Sequence, residues 1–473
     1  MKNIYKIFAI LVLMATLGSC SKEFIQRDRP LVMNETIIYA DADYIQSALL
    51  GCYDIFKSSN PSFMGGLAYL VFDCRGDDIV NVSNPTTMQH TYEMKVLPTD
   101  QENGRIWNYA YGTINTCNIF IDNLEKYGCK EVLGDAVYNK YVAEAKFLRA
   151  YCYYVLVNLY SKPYCIDPDA PAVPLRTKGL VSSGNNDCPL SSISDIYQQI
   201  LDDCVFADLP SAPGTRDGVT RASAAAAHML RMRVYMAMSQ WDNAITEGEA
   251  VTGYSLDPDI TKLYGEDTYT SPEMIFALPM STQDNPNTQM SCAEYFSAKA
   301  TVAWLDTEGG IMSVAGYNLA KDERIAKLVS DPDSDGYVYS KKFVDYGQKL
   351  DWIPVMRYAE TKLNLAECYA NKTDGTTNAK SNLNDVRSRS ISAADDVFDV
   401  TTLSGGNLKT AIYNERRLEF ICEGMRGIDI IRRGENFVKK NSSVDITVTP
   451  NDSYYTWPIT DTEKKYNKAI KGE

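Results

Sequence analysis

Helical periodicity in several long segments is the feature that most constrains the fold of this chain. In residues 141–160, apolar side chains recur at steps of three or four positions, at Tyr141, Ala145, Leu148, Cys152, Val155 and Leu159. This spacing places them along one face of an amphipathic helix. Similar patterns indicate helices at 105–127, 193–208 and 225–236. A mostly all-α fold is therefore expected.

Two consecutive segments have the size and composition of a helix pair. After a break at Ser239 and Gln240, the residues from Trp241 to about Val251 indicate a partner for the preceding helix. Two antiparallel helices in about 34 residues, with an aromatic and a small residue where they cross, resemble a tetratricopeptide unit. A second pair is predicted at 355–390. Such pairs stack on a shared core, because no pair can bury its apolar face alone.

Three long stretches rich in Gly, Pro, Asn, Asp and Ser interrupt the helical pattern, at about 58–103, 162–189 and 257–351. Loops this long are uncommon unless they carry function. Residues 41–473 are therefore predicted to form a single helical domain, in which a scaffold of tetratricopeptide-like pairs carries long irregular ligand-binding loops.

The N-terminus has the pattern of an export signal. Two lysines precede an apolar run at 7–17, which is too short to span a bilayer. The following Leu17-Gly18-Ser19-Cys20 resembles the bacterial lipoprotein signal, in which the cysteine thiol receives a lipid and cleavage occurs just before it. We predict a signal peptide at 1–19, lipidation of Cys20 and a lipidated tether at 20–40. The alternative is an ordinary secretory signal that ends in a cysteine by chance.

Composition argues against several partners and chemistries. Acidic residues outnumber basic ones 61 to 47, and no long run of Lys and Arg occurs, so no nucleic-acid partner is expected. Anionic membrane surfaces repel an acidic body, which leaves the lipid as the only expected membrane contact. The two histidines, His90 and His228, leave little scope for histidine-based catalysis or zinc binding. No cofactor is expected.

Residues 407–434 combine many carboxylates and guanidinium groups. Charged residues recur there at steps of three or four positions, which predicts one charged helical face. They are Arg416, Glu419, Glu423, Arg426, Asp429 and Arg433. A catalytic interpretation would make Glu415 and Glu419 an acid/base pair, as in a glycosidase. The structural interpretation is a ladder of salt bridges, and it is favoured because nearby arginines keep carboxylates ionised, whereas a general acid needs a raised pKa.

That segment and several others resemble the SusD/RagB family of nutrient-binding outer-membrane lipoproteins. Besides the lipoprotein signal, the other motifs are Trp107-Asn108-Tyr109 with Ile114 and Asn118, the stretches 144–150 and 353–360, and Trp457-Pro458-Ile459 with Asn467. Each motif is weak alone, but together they occur in family order from the first residue to the C-terminus. Cys422 departs from the pattern, since the family often has an aromatic residue there.

The resemblance implies a helical body with four tetratricopeptide-like pairs. It also implies a place in the outer membrane, facing the cell exterior, as a lid on a SusC-like TonB-dependent transporter. Family members deliver glycans, or sometimes peptides, to that transporter. The motifs of the family belong to its scaffold, so the binding residues must be sought in the loops.

Glycan sites stack sugar faces on aromatic rings, and a tyrosine ring with a polar tip tolerates partial exposure. We therefore predict that ligand contacts come from aromatic residues of the long loops. The candidates are Tyr69, Tyr92, Tyr269, Tyr295, Trp304 and Tyr317. For each ring, packing within its loop is the alternative role.

A weak calcium candidate lies at 331–342. Asp331, Asp333 and Asp335, followed by Gly336, match the start of an EF-hand loop. Position twelve is Lys342 where a bidentate Glu is needed, so the cage is incomplete. A plain turn explains the same residues.

The sequence thus predicts a non-enzymatic, glycan-binding surface lipoprotein that captures nutrient for import. The first alternative keeps this fold and changes the ligand to peptide or another nutrient. The others are a surface glycosidase and a passive adhesion or scaffold protein.

Overall fold

The structure is a computed structural model. It describes residues 34–58, 62–81, 88–182, 184, 186–210, 213–286, 291–297, 302–304, 310–314, 317, 319–396, 399–440 and 445–470. The predicted signal peptide and lipidation site lie outside these residues, as does most of the predicted tether. Just over half of the chain is helical, and the strands are few and short, so the expected fold class is confirmed.

The helices and strands have the following bounds, in chain order. The helices are α1 (Glu35–Ile38), α2 (Ala42–Lys57), α3 (Leu67–Arg75), α4 (Gln89–Tyr92), α5 (Gln101–Lys126), α6 (Lys130–Leu133), α7 (Asp135–Tyr160), α8 (Ile193–Asp203), α9 (Arg216–Thr220), α10 (Ala224–Ala237), α11 (Trp241–Glu249), α12 (Cys292–Phe296), α13 (Glu323–Leu328), α14 (Tyr358–Ala370), α15 (Thr376–Ser390), α16 (Gly405–Phe420), α17 (Arg426–Arg432) and α18 (Asp461–Tyr466). The strands are β1 (Ile79–Asn81), β2 (Pro171–Pro174), β3 (Leu190–Ser192), β4 (Met274–Leu278), β5 (Val302–Trp304), β6 (Ile353–Arg357), β7 (Phe437–Lys440) and β8 (Asp445–Val448). They pair antiparallel as β1–β5, β2–β3, β4–β6 and β7–β8.

The long helices pack in an order that follows the chain. Helix α2 packs against α5, α5 against α7, α7 against α8, and α8 against α10. The series continues from α10 to α11, from α11 to α14, and from α14 to both α15 and α16. Each element thus contacts its neighbours in sequence, which is the arrangement of a helical-repeat scaffold.

The α10–α11 pair shows why a small residue is needed at a helix crossing. Gly248 lies where α11 meets both α10 and α14. A Cβ atom there would lie 2.7 Å from Cε of Met232 and 2.8 Å from Cδ2 of Leu365. A larger residue would force the side chains of Met232 and Leu365 to move, whereas glycine lets the three helices meet without that shift.

The prediction of an irregular stretch at 58–103 is wrong in part. Residues 67–75 form α3, and all nine of its residues are buried. A helix that is buried on every side has no polar face and therefore no amphipathic period, so its pattern does not distinguish it from a loop or a strand.

The single charged helical face predicted at 416–433 is also wrong, because two helices share these residues. Helix α16 ends at Phe420, and α17 begins at Arg426. Between them Cys422 (φ +62°) and Gly424 (φ +71°) adopt left-handed backbone conformations, which a continuing right-handed helix does not contain.

The β4–β6 sheet lies in the main core, and every residue of both strands is buried. Phe276 of β4 packs against Phe56 of α2 and Phe147 of α7, with ring centroids 6.3 and 5.6 Å apart. The sheet ends in charged residues, since Arg357 is the last residue of β6 and Glu273 directly precedes β4. The buried charged residues described below start at this end of the two strands.

Candidate functional site

The β1–β5 sheet joins the first and third of the long loops. Its antiparallel register sets Ile79 opposite Trp304, Val80 opposite Ala303 and Asn81 opposite Val302. A residue of the 58–103 segment and the candidate Trp304 are thus neighbours in space, although they are far apart in sequence. The side chain of Trp304 and the residues at 82–87 and 305–309 lie outside the described part of the chain.

Two further contacts fix the bases of the same loops. Asp78, just before β1, accepts a hydrogen bond from the backbone N–H of Ile311 at 2.9 Å and pairs with Arg417. Lys57, at the end of α2, pairs with Asp284 and donates to the carbonyl oxygen of Pro279 at 3.1 Å. Both Asp78 and Lys57 are buried. Buried charged bonds of this kind hold loop bases in one position, as a preformed binding surface requires.

Behind the loops, Arg357 is the centre of a buried ion network. Its guanidinium group contacts Glu273 at 2.8 Å, Glu419 at 2.5 Å and Glu423 at 2.8 Å. Lys342 reaches Glu423 from the other side at 2.6 Å. All five residues are buried. They come from β6, the end of α16, the turn that follows α16 and the 257–351 segment, so the network ties that long segment to the helical body.

Glu415 and Glu419 share a second arginine. Arg324 lies 2.7 Å from Glu415 and 3.0 Å from Glu419, and Arg387 lies 3.0 Å from Glu415. Arg389, Arg357 and Arg324 together hold the pKa of Glu419 well below its ordinary value, even though burial alone would raise it. A carboxylate held in this state is a poor general acid. The salt-bridge interpretation is confirmed for both glutamates, and neither is placed to act on a substrate.

The network continues through the C-terminal half of the scaffold. Asp429 binds Arg416 at 2.8 Å and Arg432 at 2.9 Å, and Arg432 also pairs with Glu367 at 2.6 Å. The arginines lower the pKa of both carboxyl groups. These pairs join α14, α16 and α17, so the charged residues of the 407–434 motif have a structural role.

The buried carboxyl group of Asp73 has a raised pKa. Burial raises the pKa of Asp73 to about 8, against hydrogen bonds from the backbone N–H groups of Gly424 and Arg426. The Gly424 bond measures 2.9 Å. A raised pKa in a cleft would suggest a general acid. Asp73 is only 3% exposed and lies under the α16–α17 turn, so it does not reach a surface where substrate could bind.

Three of the six candidate aromatic residues lie in the interior, contrary to their expected place in irregular loops. Tyr69 belongs to α3, Tyr92 to α4 and Tyr295 to α12, and all three are buried. The Tyr69 hydroxyl donates to the carbonyl oxygen of Pro354 at 2.8 Å, and Lys439 lies over the Tyr92 ring at 4.1 Å. Rings packed in this way offer no face to a ligand, so their positions favour the packing role.

The other three candidates lie closer to the surface or cannot be placed in full. Tyr269 is half-buried and packs on Trp352, with ring centroids 5.4 Å apart. Tyr317 is half-buried, lies under Arg387 and donates to the carbonyl oxygen of Ala411 at 3.2 Å. A ligand-binding role remains a prediction for these two and for Trp304, which β5 places at the meeting point of the loops.

The calcium candidate has the geometry of a turn. Oδ1 of Asp333 accepts hydrogen bonds from the backbone N–H groups of Asp335 and Tyr337, each at 2.9 Å. Its Oδ2 accepts a hydrogen bond from the Tyr339 hydroxyl at 2.8 Å. Lys342, at position twelve, is turned into the ion network. Within the part of the chain that the structure describes, Asp331, Asp333 and Asp335 do not form a cluster that could hold a metal ion, and neither does any other group of three or more His, Cys, Asp or Glu residues.

Family models match most of the chain. The model of the SusD family matches residues 227–470, and a SusD-like model described as starch-binding and associating with the outer membrane matches residues 63–236. A SusD-like protein of Formosa agariphila, P25, is 24% identical, over 91% of this chain and 90% of that protein.

Solved structures show the same similarity in three dimensions. A SusD superfamily protein from Bacteroides fragilis is 49% identical, over 92% of this chain and 100% of that chain, with a TM-score of 0.87. A SusD-like carbohydrate binding protein from Bacteroides vulgatus has a TM-score of 0.75 at 22% identity, over 91% of this chain and 98% of that chain. The second match shows a shared fold alone.

Proposed function

From the premise that this chain belongs to the SusD family, we propose that it binds glycans at the cell surface and passes them to a SusC-like TonB-dependent transporter. The observation that carries the proposal is the β1–β5 sheet, which brings Trp304 to the junction of two long loops on a rigid scaffold. Aromatic rings on such junctions can stack on sugar faces while neighbouring polar groups bind hydroxyls. The same scaffold surrounds Glu419 with arginines that lower its pKa, which supports binding without cleavage.

The place of action in the proposal is the outer membrane, on the exterior side. The matching family model is described as associating with the outer membrane. Among the described residues, no helix combines the length and the apolar character needed to cross a bilayer. Lipid on Cys20 would supply the anchor, and the segment from Cys20 to Asn34 could extend at most about 50 Å from it. The body would then stay within reach of a transporter in the same membrane.

The decisive experiment separates binding from cleavage. The purified protein is applied to an array of bacterial, plant and host glycans, and retained polysaccharides are then incubated with it and assayed for new reducing ends. Binding without new reducing ends is the expected result. Release of reducing ends would contradict the non-enzymatic role. Retention of peptides but of no glycan on a parallel peptide array would favour the peptide alternative instead.

A further inference from the structure

A second cleft lies apart from the loop junction. It has a volume of about 370 Å³ and opens between the middle of α5, the segment after β2, and α18. Its lining residues include Asn115, Arg176, Leu180, Glu463, Tyr466 and Asn467, and all of its lining residues lie within 111–118, 176–186 and 463–467. None of them belongs to the 58–103 or 257–351 segments. The cleft instead uses the middle long loop, at 162–189, to which the proposed function assigns no role.

Side-chain amides hold the walls of this cleft in place. Asn115 on α5 accepts from the backbone N–H of Leu180 at 2.7 Å and donates to its carbonyl oxygen at 3.1 Å. Asn467 does the same for Cys188, accepting at 3.0 Å and donating at 2.7 Å. The loop is thereby bonded to α5 on one side and to the C-terminal segment on the other. A cleft with walls fixed in this way is preformed, so a ligand bears little ordering cost.

The polar groups of the cleft centre on one ion pair. Glu463 uses Oε1 to accept from Arg176 at 3.4 Å and from Asn467 at 2.8 Å. Arg176 also donates from Nη1 to the carbonyl oxygen of Asn186 at 2.7 Å. Within the described residues, no hydrogen bond involves Oε2 of Glu463. The cleft therefore presents an acceptor oxygen beside a guanidinium donor.

An exposed aromatic ring forms one wall. Tyr466, the last residue of α18, is 70% exposed and is among the residues that line the cleft. Lys465 lies 5.2 Å from the ring centroid. A partner that covers a large exposed ring removes its apolar surface from water, which favours binding.

We propose that this cleft binds one neutral pyranose unit, stacked on Tyr466 and hydrogen-bonded to Arg176 and Glu463. A pyranose has an apolar C–H face for the ring and adjacent hydroxyl groups for the carboxylate and guanidinium. The volume lies at the lower end of the range for small-molecule sites, about 300–1,000 Å³, which suits a single sugar better than an extended chain. Glu463 neutralises Arg176 and would repel a phosphate or a carboxylate, so an anionic ligand fits less well. This second site shares no lining residue with the loop junction.

The test uses saturation-transfer NMR on the full protein body with the Trp304→Ala substitution, so that the loop junction does not contribute. The probes are D-glucose, D-galactose, D-mannose and N-acetyl-D-glucosamine at millimolar concentration. At least one probe should receive saturation, and adding Tyr466→Ala should weaken its binding about tenfold, which is a loss of about 1.4 kcal/mol. Tyr454→Ala is the matched control, because Tyr454 is also an exposed tyrosine but does not line the cleft.

Three outcomes would overturn the proposal. One is that none of the four sugars receives saturation from the Trp304→Ala protein. Another is that Tyr466→Ala leaves the signal unchanged, and the third is that Tyr454→Ala weakens it equally. A thermal melt of each variant shows that the fold is intact, which is expected because both tyrosines are exposed. Loss of glycan binding at Trp304 with sugar binding retained at Tyr466 would separate the two sites.

Discussion

Replacing Glu419 with Gln should destabilise the protein through the buried ion network. Glu419 is 3% exposed and faces Arg324, Arg357 and Arg389. Breaking a buried pair on one side typically costs about 3–5 kcal/mol, because a charge is left without compensation. Each of the three arginines keeps at least one other carboxylate. We therefore expect a loss near the lower end, about 3 kcal/mol in the free energy of unfolding.

Urea denaturation followed by far-UV circular dichroism measures this loss at pH 7. Glu323→Gln is the matched control, because Glu323 pairs with Lys327 at 2.9 Å on the surface, where ion pairs contribute little. The pH dependence has a defined sign. The pKa of Glu419 is lowered by folding, so its contribution is present above the ordinary value of 4.5 and is lost as the pH falls toward the folded pKa. The gap between wild type and variant should narrow in acid.

Equal midpoints for Glu419→Gln and Glu323→Gln would refute the reasoning. It would also be refuted if the gap between wild type and Glu419→Gln widened in acid. An unchanged midpoint together with lost polysaccharide hydrolysis would instead restore the catalytic interpretation of Glu419.

Three further predictions concern packing, titration and anchoring. Gly248→Ala should lower the free energy of unfolding by about 1–3 kcal/mol, because the new Cβ would meet side chains of two neighbouring helices. Gly104→Ala is the control, since Gly104 lies in an open part of α5, and it should be neutral or stabilise the protein by up to about 1 kcal/mol. Urea denaturation midpoints measure both changes. Burial raises the pKa of Asp73 from 3.8 to about 8. The contribution of its protonated form to folding stability is therefore fully present below pH 3.8 and is lost as the pH rises through about 8. Asp73→Asn should therefore gain stability over wild type as the pH rises from 5 to 8, and parallel stability curves would contradict this. Cys20→Ala should release the protein from the outer-membrane fraction in cells that lack the transporter, and continued pelleting would contradict the lipid anchor.

The helical scaffold could be predicted from sequence because its long helices carry apolar residues at helical spacing over many turns. The helix at 141–160 and the partner helix that begins at Trp241 follow from spacing, and the structure contains both as α7 and α11. The single apolar stripe predicted for 141–160 is wrong, because every residue from Phe147 to Tyr160 is buried. Helix α3 could not be predicted, because it is buried on every side and its nine residues are too few to show a helical period. The break between α16 and α17 was also missed. Its signal was Gly424, whose left-handed conformation favours glycine and ends a helix.

The charged interior was predicted only where its residues are close in sequence. Glu415, Glu419 and Glu423 lie in one segment with several arginines, so a structural role could be inferred, although the cations that they contact come from other segments. Arg324 and Lys342 come from the 257–351 segment, and nothing local marks them as partners of the same carboxylates. Burial of individual rings is likewise a property of the whole fold, so the sequence alone predicts an exposed ring at Tyr92, whereas the structure buries it. The cleft at Tyr466 brings together three distant segments and has no local signal.

The most direct test of glycan binding is calorimetric titration of Trp304→Ala with the glycan that the array identifies. If the Trp304 ring stacks on sugar at the loop junction, affinity should fall about tenfold or more while the melting temperature stays nearly unchanged. Tyr92→Ala should do the reverse, since truncating a buried aromatic ring costs about 3–5 kcal/mol of stability. Unchanged affinity for Trp304→Ala, in a protein that still melts like wild type, would contradict a binding surface at this junction.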